Sequence, residues 1–185
     1  MPSLRDLPKK YPELFKGEDY HFECSDGWYH LLDTLLGHIK HALGRHREVQ
    51  GIKQSLLDKG EDLAKYQWIE DYFKENPEDP LKTFSLDQIK EKFGGLRFYW
   101  SCDISSPEVT AVSGAISLAE SLSYCFCEVC GNNTGIETRP SEGKNWIRTL
   151  CREHRQEEEK KATEKPSTNQ CQHRNFLGQC PQGCQ

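Results

Sequence analysis

The chain has 185 residues, 35% of them hydrophobic, with a mean hydropathy of −0.80 and a formal net charge of −5. That length suits one domain, or one domain with a small metal-held appendage. A mildly acidic chain gives little support to a general affinity for nucleic acid. No apolar run approaches the roughly 20 residues of a membrane span, and MPSLRDLPKKYPELF at the start offers no secretory core. The expectation is a cytoplasmic protein with no membrane partner. Nine cysteines are an odd count, and six sit at chelate spacings, so reduced thiols holding metal fit better than a disulfide scaffold.

The first 20 residues, interrupted by prolines, read as an N-terminal arm. Ser25 or Asp26 then caps a helix over 26–46 with the stripe Trp28, Leu31, Leu32, Leu35, Leu36, Ile39 and Leu43. A second helical pattern runs over 50–75, with Ile52, Leu56, Leu63, Tyr66, Ile69 and Phe73 on one face, until Asn76 and Pro77 stop it. Residues 58–80 hold eight acids against three lysines, which reads as a solvated acidic face or one turned to a basic partner.

Ser85 with Gln88 forms a capping box for a short helix over 86–93. Gly94 and Gly95 end it and open a strand over 96–102, with Leu96, Phe98 and Trp100 on one side and Arg97 and Tyr99 on the other. Ser106 and Pro107 start a helix carrying Val109, Val112, Ile116, Ala119 and Leu122 inward. Two short strands, 136–139 and 146–150, are joined by a turn-rich segment, and balanced charges from 155 to 165 suit a helix followed by a polar linker.

The strongest motif is Cys127-x-x-Cys130 followed, 20 residues later, by Cys151-x-x-His154. Two short chelates complete a tetrahedron of sulfur and nitrogen, and four filled positions make a structural zinc site with no place for a catalytic water. Gly131 suits the turn after the second thiol. In the tail, Cys171, His173, Cys180 and Cys184 form a second candidate zinc set at a less standard spacing. His30, His38 and His41 read as a polar helix face, and Cys24, Cys102 and Cys125 as buried free thiols.

The segment KEKFGGLRFY presents Arg97, Tyr99 and Lys92 as candidate ligand or partner contacts, an Arg fork reading phosphate beside a stacking ring. Around the first metal set, Arg139, Lys144, Arg148, Arg152 and Arg155 outnumber Glu137, Glu142 and Glu153, a mild basic patch beside Trp146. No Walker loop, dinucleotide fingerprint, nucleophile elbow or HExxH helix is present. A scattered carboxylate site of the Asp33, Glu91 and Glu120 kind stays open as an enzymatic alternative.

Four stretches in this order, CSDGWYHLLDTL (24–35), IKEKFGGLRFYW (89–100), AESLSYCFCEVCG (119–131) and NWIRTLCREH (145–154), resemble a widespread family of small zinc-binding proteins of phages and bacteria. The resemblance brings no activity with it. It implies an accessory protein of phage or mobile-element type in a bacterial cell or phage-infected host. It also makes 47–82 look like an acidic helical insertion and the Cys-rich tail an addition.

The expected architecture is α+β. Residues 21–125 form helices packed on a small sheet, 126–155 an attached zinc-ribbon or knuckle hairpin, 156–170 a charged helix and linker, and 171–185 the Cys/His-rich tail. The expected function is a non-enzymatic binding protein that engages a host or defence component, either a protein or a small nucleotide signal. The alternatives are a nucleic-acid-binding zinc protein using the 139–155 patch, and a metal-dependent nuclease or nucleotide hydrolase.

Overall fold

The computed structural model describes residues 2–15, 20–141 and 146–163. Its architecture is α+β, with helices around two separate two-stranded antiparallel sheets. No helix among the described residues is long and apolar enough to cross a membrane.

The N-terminal segment is not an arm. Leu4, Leu7, Tyr11, Leu14 and Phe15 are buried in the main core, with Leu7 on the short helix α1 (Leu7–Lys10). Their spacing of three and four is a helical stripe that the prolines disguise. Asp33 pins the segment, accepting from Lys10 Nζ and Tyr11 Oη at 2.7 Å each.

The helix boundaries differ from those expected: α2 (Tyr29–Asp58) joins the first expected helix to the start of the second, and the remainder of the expected 50–75 helix is broken after Asp58, where Gly60 takes φ +72°. Nothing between the ends of α2 forbids continuation, since Gly37, Gly44 and Gly51 cost only about 1 kcal/mol each and no proline intervenes. Leu32, Leu35, Leu36, Ile39 and Leu43 face the core as expected. The chain then doubles back through α3 (Gln67–Glu75), where Ile69 is buried, to the single turn α4 (Pro80–Thr83).

The segment after α4 is a strand, not the expected helix. β1 (Ser85–Lys92) pairs antiparallel with β2 (Gly95–Ser101), Ile89 opposite Phe98 and Lys90 opposite Arg97. A bulge between Leu86 and Gln88 shifts the register. The extra residue brings Leu86 and Ile89, three apart, onto the same inner face, a spacing that imitates a helix. Gly94, at φ +78°, and Phe93, at φ +55°, make the two-residue turn.

Helix α5 (Pro107–Leu122) starts at Ser106, whose hydroxyl accepts from Val109 N, and packs on α2 and β2. Val112, Ile116 and Ala119 are buried; Leu122 is exposed rather than inward. Both edges of the β1–β2 hairpin are covered. Glu120 accepts from Phe98 N and Ser123 from Leu96 N on one side, while Glu23 exchanges backbone hydrogen bonds with Ile89 and Glu91 on the other. The second sheet, β3 (Ile136–Pro140) and β4 (Ile147–Cys151), lies where two strands were expected, and α6 (Arg152–Thr163) follows directly.

Candidate metal centre and the two charged hairpins

The four residues read as one metal set come together. Cys127, Cys130, Cys151 and His154 offer donor atoms all within 4.8 Å of one another. A tetrahedral ion with bonds of ~2.3 Å to sulfur and ~2.0 Å to nitrogen requires S···S edges of ~3.8 Å and S···N edges of ~3.5 Å. Cys130 and Cys151 sulfurs lie 3.9 Å apart, and His154 Nδ1 lies 3.6 Å from Cys127 Sγ and 3.2 Å from Cys151 Sγ. These donors fit a metal ion and complete a four-coordinate shell by themselves. The same four atoms give no support to an open catalytic position.

Three elements build this arrangement. The turn after α5 supplies Cys127 and Cys130, the end of β4 supplies Cys151, and the first turn of α6 supplies His154. Gly131 takes φ +74°, as its place after the second thiol requires, and its N–H donates to Cys127 O. The turn is seated on the start of α2, where a Cβ at Gly27 would lie 2.4 Å from Cys127 O, so only glycine allows that approach. Gly27 N donates to Glu128 O in the same contact.

Burial opposes ionisation of Cys127, but N–H groups of Cys151, Cys130 and Val129 aimed at its sulfur outweigh it and lower its pKa. Cys130 is pushed up to about 11, by burial first and then by the neighbouring thiols. A bound cation would hold such thiols as thiolates.

The basic patch expected beside this centre is largely neutralised. Arg148 pairs with Glu128 and with Glu158, the latter at 3.1 Å. Arg139 bonds Glu137 and Glu159. Arg155 is buried, donating to the carbonyls of Glu137 and Arg148 and pairing with Glu158. Arg152 is exposed, and Lys144 and Glu142 lie outside the described residues. Sequence reading counted Arg155 as surface charge, whereas it ties β3, β4 and α6 together. Glu128, inside the first chelate, was not singled out at all, and neither were Glu158 and Glu159.

The outer face of β1–β2 is the opposite case. Arg97 and Tyr99 share the face away from the core, with Lys90 directly opposite Arg97 and Lys92 two residues further on. Tyr99 is 40% exposed, with Lys90 Nζ 4.8 Å from its ring centroid. Arg97 donates to Leu96 O at 2.7 Å and to Tyr124 Oη at 3.3 Å, neutral acceptors that fix its fork. The Tyr124 hydroxyl, ahead of the opposing effect of burial, raises the guanidinium's pKa. Strand alternation gives Arg97 and Tyr99, and the composition of KEKFGGLRFY gives Lys92; the facing of Lys90 and Lys92 on this sheet is not legible in a segment whose spacing reads as helical.

Other candidates are scattered. Asp33 holds Lys10 and Tyr11, Glu91 accepts from Gly94 N, and Glu120 from Phe98 N, so each carboxylate serves a separate structural bond. His30, His38 and His41 are exposed on α2, as expected. Of the free thiols expected to be buried, Cys125 is exposed and Cys24 and Cys102 are half-buried. Burial pushes the Cys24 thiol up to about 12. The second candidate set, Cys171, His173, Cys180 and Cys184, lies outside the described residues.

No family model, no curated protein and no solved structure matches the chain.

Proposed function

We propose that this is a non-enzymatic, zinc-containing binding protein whose ligand is a small phosphorylated molecule of the nucleotide kind, held on the outer face of β1–β2. The metal reading rests on the closed set of three thiols and one imidazole, the donor chemistry and spacing of a structural zinc. In the phage or mobile-element setting implied by the sequence resemblance, the ligand would be a nucleotide signal of a host defence.

One observation carries the ligand reading. Among the described residues, Lys90, Lys92 and Arg97 make no ion pair with a carboxylate, and they share a face with the exposed Tyr99 ring. Like charges directly opposite one another across a ladder are destabilising, and Lys90 and Arg97 are such a pair. An anion bound between them relieves that repulsion. The Arg97 fork suits phosphate oxygens, and the Tyr99 ring suits a base. The alternative, nucleic-acid binding through 139–155, loses support because Arg139, Arg148 and Arg155 already have acidic partners.

Calorimetric titration with a panel of nucleoside mono- and triphosphates tests this reading, with inorganic phosphate as the minimal probe. At least one nucleotide should bind saturably, and Arg97→Ala should lose tenfold or more, about 1.4 kcal/mol, with an unchanged melting temperature. If no nucleotide binds at millimolar concentration, or Arg97→Ala binds like the wild type, the ligand reading fails and the zinc reading stands alone.

A further inference from the structure

A cavity separate from the β1–β2 face is lined by acidic rather than basic side chains. It occupies about 300 Å³ between α2, α3, α4 and the start of α5, and His46, Tyr72 and Glu108 line it. That volume is at the small end of the ~300–1,000 Å³ typical of small-molecule sites. Both ring nitrogens of His46 and the Oε2 atom of Glu108 are buried there without a hydrogen-bond partner. Buried polar atoms almost always have one, so three orphans from two distant helices in a single cavity demand an explanation.

The lining defines what would satisfy them. Besides the imidazole of His46 its ionisable lining includes the carboxylates of Glu75, Glu78, Asp103 and Glu108, and no lysine or arginine. Carboxylates around a concave site raise the local concentration of cations. His46 sits edge-on to Phe73 at 5.1 Å and near Tyr72 at 6.3 Å, so aromatic rings stand beside the orphaned imidazole. A bare metal ion is the poorer occupant. Among the described residues, three or more donors converge only in the Cys127, Cys130, Cys151 and His154 set. Donors spread over a cavity match a molecule several atoms long.

We infer that this cavity binds a small organic cation with two separated nitrogen groups, of the diamine or guanidino-amine class. One cationic group donates to Glu108 Oε2 under the rim carboxylates. The other donates to an accepting nitrogen of His46, with the chain between them against Tyr72. The inference does not depend on the nucleotide reading: the two sites have opposite charge and share no residue.

Titration of the full chain with putrescine and agmatine, followed by calorimetry and by NMR of the histidine imidazoles, decides the matter. Saturable one-site binding with a dissociation constant of roughly 1 mM or tighter is expected. The His46 imidazole signals should move, and those of exposed His30, His38 and His41 should not. Glu108→Gln should weaken binding at least tenfold while melting, without amine, no lower than the wild type. It removes a charge that has no partner there, whereas loss of a structural contact would lower the melt. Arg97→Ala should bind amines normally. No saturable binding of either amine at about 10 mM, an unmoved His46 signal, or wild-type affinity in Glu108→Gln would each overturn the proposal and leave ordered water as the orphans' partner.

Discussion

The two antiparallel hairpins of this protein carry similar numbers of basic side chains and use them in opposite ways. On β3–β4, Arg139 and Arg148 are paired with Glu128, Glu137, Glu158 and Glu159, and Arg155 of the following α6 is buried against backbone carbonyls of the same hairpin. On β1–β2, Lys90, Lys92 and Arg97 face outward without an ion pair to a carboxylate among the described residues, Arg97 donating to neutral oxygens and Lys90 and Lys92 lying beside aromatic rings. A local excess of arginine is therefore no measure of an anion site. Charge that is already neutralised holds the hairpin together, and charge left open is available to a ligand. In the reading proposed above, the first hairpin serves contact and the second serves cohesion around the Cys127, Cys130, Cys151 and His154 set.

The largest effect that can break this comparison is removal of the metal. The core around β3–β4 consists of little more than Cys127, Leu150 and Cys151, with Val129, Cys130 and Ile136 against it. Such a cluster is too small to stand alone, and a structural zinc contributes on the order of 10 kcal/mol to an element of this kind. Cys130→Ser, or chelation of the wild-type protein, should abolish amide-exchange protection in β3 and β4. Protection in α2, which has its own buried stripe, should persist. Elemental analysis that finds no zinc, or full protection after chelation, would refute the cohesive role of the centre.

Next in size is the ion pair that closes the second hairpin. The Glu128 side chain is 5% exposed, and burial pushes its carboxyl up in spite of Arg148. Arg148→Ala strands that carboxylate and should cost about 3–5 kcal/mol in chemical denaturation. The pH dependence has a definite sign. A carboxyl whose folded pKa lies above its unfolded one favours the folded state below the unfolded value, near 4.5 here, and loses that advantage as pH rises through the folded value. The deficit of Arg148→Ala should thus be greatest at neutral pH and shrink towards about pH 4. Adding Glu128→Gln should recover part of it at pH 7. A deficit under about 1 kcal/mol, the scale of an exposed pair, would mean that the second hairpin's charges are as open as the first's.

What the sequence made legible follows the range of the forces involved. The metal set could be read because each chelate is local, three residues from ligand to ligand, and β2 because Leu96, Phe98 and Trp100 alternate without interruption. β1 could not, because one bulge gave its buried residues a helical spacing. The N-terminal stripe was hidden by Pro2, Pro8 and Pro12, which read as breakers although Pro8 sits inside the first turn of α1, where its missing N–H costs nothing. The pairing of Glu128 with Arg148 joins residues 20 apart across a turn of the metal site. No periodicity announces such a contact. The same holds for His46 and Glu108, which line one cavity only because α2 and α5 pack together.

The smallest effect sharpens the comparison most, because its two readouts should move in opposite directions. Phe93 occupies the tip of the first hairpin at φ +55° and is 64% exposed, with Lys92 Nζ 5.4 Å from its ring centroid. The left-handed region costs an L-residue with a bulky side chain roughly 1–2 kcal/mol, and Asn before Gly is among the best fillers of this turn. A large apolar ring in that conformation, facing solvent, gains nothing from the core. Phe93→Asn should accordingly stabilise the protein by about 1 kcal/mol, a rise in melting temperature of roughly 2–4 °C for a chain of this size. If the ring is held there to touch a ligand, nucleotide affinity should fall in the same variant. A drop in melting temperature would show instead that Phe93 packs on the protein, and the first hairpin would then owe its tip to cohesion, as the second does.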